Sequence, residues 1–96
     1  MYARLITALI QPTKLEEFAT AFSQVILPAI SREHGFKSIY VMKDAAQNKI
    51  TALVMWETES DAQTSIERDL SQHLPQVANF LASQPSAETL EVILRA

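Results

Sequence analysis

At 96 residues the chain is long enough to bury roughly 60% of its unfolded surface in one modest core, so residues 1–96 are expected to form a single domain. With 48% hydrophobic and 20% charged residues the composition is that of a globular protein and excludes disorder, and the lack of cysteine excludes disulfides, thiol nucleophiles and cysteine-ligated metals. A net charge of −3 argues against sequence-independent binding of nucleic acid or anionic membrane, both of which need clustered Lys and Arg.

From Tyr2 to Ile10 the run YARLITALI is almost wholly apolar and rich in β-formers, which predicts a strand with little freedom to expose either face. It approaches neither the roughly 18 residues of a membrane span nor a signal-peptide cleavage pattern, so a soluble protein is expected, and the cysteine-free composition fits the reducing cytoplasm. Pro12 blocks extension, and Thr13 with Glu16 spells a capping box for a first helix. Leu15, Phe18, Ala19, Phe22, Val25, Ile26, Ala29 and Ile30 form its apolar stripe. Pro28 should kink that helix and Gly35 should close it, with His34 favouring its negative end.

Phe36 to Lys43 and Lys49 to Glu57 read as two strands joined by the polar stretch from Asp44 to Asn48. Ser60 and Gln63 spell a second capping box, followed by the stripe Ala62, Ile66, Leu70, Leu74, Val77 and Leu81. Pro75 divides this helix, with Ser71 as a cap for the second part and His73 in its first turn, where a neutral imidazole is favoured. After Pro85, Leu90, Val92 and Leu94 alternate with Thr89, Glu91, Ile93 and Arg95, predicting a strand buried mainly on one side.

The order β-α-β-β-α-β predicts an α+β, ferredoxin-like fold: a four-stranded antiparallel sheet with two helices on one face. The other face should then meet water. Strand 1 is apolar on both sides, however, and strand 3 sets Ile50, Ala52, Val54 and Trp56 against Leu53 and Met55, so a homodimer through the open sheet faces is expected. RNA recognition is set aside for want of basic and aromatic strand motifs, metallochaperone chemistry for want of cysteine, and acylphosphatase chemistry because Gln11-Pro12-Thr13 has neither glycine nor arginine.

Four short motifs carry a family likeness: Gln11-Pro12-Thr13 leading into Leu15-Glu16-Glu17-Phe18, then Glu33-His34-Gly35-Phe36, then Trp56-Glu57-Thr58-Glu59-Ser60, and finally Ser71-Gln72-His73-Leu74. In this order and spacing the chain resembles the antibiotic biosynthesis monooxygenase (ABM) domains of the dimeric α/β-barrel superfamily. The resemblance implies a dimer whose sheets form a barrel, with a small-molecule pocket between sheet and helices in each subunit. It also implies activities such as oxygenation of aromatic polyketides without metal or flavin, so no cofactor is expected. Haem-degrading members use an Asn on strand 1, where this chain has Ile6, and a Trp on the second helix, which this chain lacks; only His73 matches their pattern.

His73 is the candidate catalytic base, because an imidazole beside an apolar stripe can move a proton near neutral pH; its plainer reading is a surface histidine in a polar turn. Candidate substrate-binding residues are Tyr40, whose hydroxyl could bond a phenol or quinone but which reads otherwise as an ordinary buried tyrosine, Trp56, whose plainer role is packing helix 2 against the sheet, and Arg4, which could bind an anion but is first expected to pair with an acid across the strands. His34 reads as a helix-end residue. The carboxylates lie mostly at helix starts or on solvated faces, and no metal site is expected. Two functions follow: a cofactor-independent oxygenase of a small aromatic or enolic compound, or a non-catalytic ligand-binding or structural dimer.

Overall fold

The computed structural model describes residues 1–65, 68 and 71–96. Its elements are β1 (Tyr2–Leu9), α1 (Leu15–Ala21), a π-helical turn (Phe22–Ile26), α2 (Leu27–Ser31), β2 (Phe36–Asp44), a 3₁₀ turn (Ala45–Gln47), β3 (Lys49–Trp56), α3 (Glu59–Ser65), α4 (Ser71–His73), two further 3₁₀ turns (Leu74–Gln76 and Ala78–Phe80) and β4 (Ser86–Glu91). The strands form one antiparallel sheet in the order β2-β3-β1-β4, and the helices cover one face, giving the α+β ferredoxin-like arrangement.

Register fixes which side chains look toward the helices. Arg4 lies opposite Val54 and Thr89, Ile6 opposite Ala52 and Ala87, and Ala8 opposite Ile50, so the even-numbered residues of β1 and β3 share the helix-covered face. Ile50, Ala52, Val54 and Trp56 are accordingly buried. Two clusters fill the space beneath the helices, one around Ile10, Phe18, Ile26 and Val77, the other around Ile30, Val54, Trp56 and Ala62. The opposite face carries Leu5, Leu53, Met55, Tyr40, Met42 and Leu90, with Tyr40, Met42 and Leu90 exposed.

Several local expectations are corrected. Thr13 does not cap α1: it takes a positive φ of 69° in a turn in which the Lys14 N–H donates to the Gln11 carbonyl, and Lys14 becomes the cap residue without a side-chain bond. Pro at the second turn position and positive φ at the third is the pattern of a type II turn, which uses Thr13 before it can cap. At Pro28 the helix continues, as the stripe resuming at Ala29 predicts; the preceding π turn shifts the ladder so that the Leu27 N–H donates to the Phe22 carbonyl five residues back. The helix ends at Ser31 rather than Gly35. Gly35, at φ +81°, instead shapes the turn into β2, where a Cβ would overlap the Asp61 carboxyl group.

The cap of α3 is Thr58, two residues ahead of the expected Ser60: its Oγ1 accepts from the Asp61 N–H at 3.1 Å and donates to Asp61 Oδ2 at 2.8 Å. Within the stripe that follows, Ala62 and Val77 are buried as expected, whereas Ile66 and Leu70 lie outside the described residues. Ser71 lies within α4, and His73 stands in the single turn of that segment, as expected. β4 occupies Ser86–Glu91 and stops before Val92; Ile93 and Leu94 are exposed beyond it. Its pairing with β1 starts at the Thr7–Ser86 pair, which turns Leu90 to the open face and Thr89 toward the helices.

Candidate functional site

A cavity of about 60 Å³ lies between the sheet and the helices. Its helical wall is a row at four-residue spacing, Phe18, Phe22, Ile26 and Ile30. In a regular α-helix such a row drifts around the cylinder, but the wider π turn at Phe22–Ile26 keeps it over the sheet. The facing wall is the helix-covered side of β1 and β3, including Arg4, Ile6, Val54 and Trp56. Ala62 and Ser65 of α3 and Val77, Leu81 and Pro85 close the rim. Apart from the Trp56 indole N–H, Arg4 and Ser65 bring the only polar side-chain groups among the described lining residues. The lining is almost wholly apolar, but the space is well below the roughly 300–1,000 Å³ of ordinary ligand pockets, so an aromatic ligand would enter only if the rings and helices of its wall moved apart.

Of the four residues singled out from sequence, Arg4 and Trp56 meet at this cavity. Trp56 is 1% exposed and packs edge-on against Phe36, with ring centroids 5.9 Å apart at 81°. Arg4 has no acid opposite it, contrary to the pairing expected; Nη1 donates to the Thr89 hydroxyl at 2.7 Å. Its Nε is buried without an acceptor among the described residues, and burial lowers its pKa from the usual arginine range.

Tyr40 and His73 lie elsewhere. Tyr40, 61% exposed, stands opposite Leu53 on the face of the sheet turned away from the helices. His73 is half-buried and is not among the described residues lining the cavity; its Nδ1 meets Gln76 Nε2 at 3.4 Å. The sheet thus stands between Tyr40 and the cavity, and the two residues do not form a joint site with Arg4.

The cavity's ring-bearing wall, Phe18 and Phe22, was read from sequence only as helix stripe, and a four-residue spacing running into a proline-containing segment is the signal that could have exposed it. A second polar arrangement also escaped the sequence. His34 Nδ1 lies 2.9 Å from Asp61 Oδ1, tying the turn before β2 to the first turn of α3. The Asp61 carboxylate raises the His34 pKa, while the bonds from His34 and Thr58 hold Asp61 below its usual range. Among the described residues no group of three or more His, Asp or Glu is placed to hold a metal ion, and no helix is long and apolar enough to cross a membrane.

The profile of the family described as Antibiotic biosynthesis monooxygenase matches residues 1–74. No curated protein matches the chain. Among solved structures, the Nitrosomonas europaea protein NE2512, of unknown function, superposes with a TM-score of 0.83 at 17% identity, covering 99% of this chain and 91% of that one. Rv0793 from Mycobacterium tuberculosis gives 0.80 at 14% identity, covering 99% and 97%. A variant of SnoaB, a cofactor-independent oxygenase from Streptomyces nogalater, gives 0.80 at 9% identity, covering 98% and 94%. At these identities the likeness is one of fold.

Proposed function

The chain belongs to the antibiotic biosynthesis monooxygenase family, and on that premise we propose that it binds a small aromatic or enolic compound in the cavity and promotes its oxygenation without metal or flavin. The observation that carries this reading is the apolar space between sheet and helices, lined by Phe18, Phe22 and Trp56 together with Arg4. Oxygenation of an activated methylene balances without any other reductant. One oxygen atom becomes the new carbonyl, the other leaves as water with the two hydrogens of that carbon, and the substrate supplies all four electrons. The protein's share is to hold the ring, exclude water and favour the ionised form of the substrate. SnoaB, of the same fold, is described as a cofactor-independent oxygenase, which supports this direction.

Dimerisation through the open sheet face belongs to the same proposal. Tyr40, Met42 and Leu90 are exposed there beside Leu5, Leu53 and Met55, a contiguous apolar surface of the kind that a twofold partner covers.

The non-catalytic alternative draws on one observation: no described lining residue is a His, Asp, Glu or Lys that could take a proton. An oxygen electrode separates the two. With a phenolic or anthrone-type substrate in chelator-treated buffer, protein-dependent oxygen uptake matching product one to one supports the oxygenase. Saturable binding of the same compound without oxygen uptake establishes the binding protein instead.

A further inference from the structure

We infer that the cavity's ligand carries one negative charge on oxygen, as a carboxylate, phenolate or enolate on an apolar body, and that Arg4 selects it. The inference rests on the cavity being the ligand site proposed above. Arg4 is the one charged side chain among the described lining residues, set in a wall that is otherwise almost entirely hydrocarbon. Its cross-strand neighbours are Val54 and Thr89, and no described carboxylate pairs with it. The hydroxyl of Thr89 satisfies one N–H but neutralises no charge. Nε is buried without an acceptor among the described residues.

Arg4 is partly exposed, so water reaches some of its donors, but its Nε lies buried without a partner among the described residues, and burying an N–H in that way is unfavourable. An arginine present only to cover apolar surface would run its stem along the wall and place its head in water. Here the head is fastened to β4 by Thr89 and part of it is sealed from solvent. An oxyanion beside it supplies the missing counter-charge and can be bonded by the planar donors of the group.

This placement also bears on chemistry. A cation next to an enolic or phenolic oxygen stabilises the anion, so the substrate gives up its proton to solvent on binding and stands in the electron-rich form that reacts with oxygen. No pocket base is then required.

The test compares benzoate with its neutral isostere benzamide, read by the fluorescence of Trp56, the only tryptophan of the chain and part of the cavity wall. Benzoate should bind about 10- to 100-fold more tightly than benzamide, the range of a charge-assisted hydrogen bond, and Arg4→Met should abolish the preference while leaving benzamide affinity intact. 4-Nitrophenol gives a second readout on the unaltered protein: its bound form should show the nitrophenolate absorption at a pH where the free compound is mostly neutral. If Arg4→Met fails to fold, the benzoate-to-benzamide ratio and the nitrophenolate spectrum decide. Equal affinity for benzoate and benzamide, a preference that survives Arg4→Met, or nitrophenol bound as the neutral species overturns the role of Arg4 while leaving the cavity as the ligand site. Failure of benzoate, benzamide and indole alike to bind removes the cavity as a ligand site, and this inference with it.

Discussion

Replacing Trp56 by alanine tests whether the cavity wall and the core are one structure. The side chain is 1% exposed, so nearly its whole surface is withdrawn from water. An indole buries roughly 150–250 Å², and at about 25 cal/mol per Å² that is about 4–6 kcal/mol of gross transfer energy. Alanine keeps the Cβ contribution, and the ring face toward the cavity has few neighbours to lose. The edge-on contact with Phe36 adds about 1 kcal/mol in the other direction. A net cost of about 3–4 kcal/mol results, within the range for large aromatic truncations. A chain of 96 residues holds about 5–14 kcal/mol in all, so the variant should fold, with Tm lowered by about 12–30 °C. Urea unfolding followed by circular dichroism measures the loss. Because the variant enlarges an apolar space, indole should bind it and recover part of the stability. A loss under about 1 kcal/mol, with no stabilisation by indole, would refute the packing described for Trp56.

Tyr40→Lys combined with Met42→Lys should halve the mass seen by light scattering while preserving the circular dichroism spectrum; a wild-type protein that is monomeric at micromolar concentration would instead sink the dimer. Gly35→Ala should destabilise by at least about 1–2 kcal/mol from the positive φ alone, with more from the overlap with Asp61, and an unchanged urea midpoint would contradict that turn. The His34–Asp61 pair should give a stability maximum in mildly acidic solution. The raised His34 pKa contributes stability that is complete below its ordinary 6.5 and is lost as pH rises through the raised value; the lowered Asp61 pKa contributes above its ordinary 3.8 and is lost as pH falls through the lowered value. Asp61→Asn should flatten this profile, and an unaltered profile would show that the pair is not coupled to folding. His73→Ala should leave cavity affinity and turnover nearly unchanged, since His73 is not among the described lining residues, whereas a fall of about 100-fold or more would make it a general base after all.

The element order was legible because it depends on patterns that survive tertiary context: the β-rich apolar runs of β1, β2 and β3, the helical stripes between them and the prolines that bound them. Termini were less legible, for a common reason. A cap signature says which residue can satisfy a free N–H, but the preceding turn decides which residue arrives there. Thr13 is taken up by the turn after Pro12, and Thr58 reaches the start of α3 before Ser60 can. β4 was misplaced for a related reason. Leu90, Val92 and Leu94 alternate well, but β1 ends the ladder at the Tyr2–Glu91 pair, so the alternation runs past its partner and leaves Ile93 and Leu94 exposed.

The candidate site divides along the same physical line. Arg4 and Trp56 were visible because each breaks its local pattern, a cation on an apolar strand and the largest ring at a strand end, and register with β3 brings both onto the helix-covered face. Tyr40 has the opposite parity through its pairing with Leu53, so its hydroxyl belongs to the open sheet however well its chemistry suits a phenolic substrate. His73 stood out from its place beside the apolar stripe, the break before Pro75 and its match to the family's histidine position; it is not among the described residues that line the cavity. The residues with the strongest claim here are those that a two-residue period and a π turn bring to one wall: Arg4, Trp56, Phe18 and Phe22. A proline-bearing first helix is therefore as much a part of the site as its charged group. Without the wider turn ahead of Pro28, the row from Phe18 to Ile30 would wind away from the sheet, and Arg4 would face the space without the rings that exclude water from it.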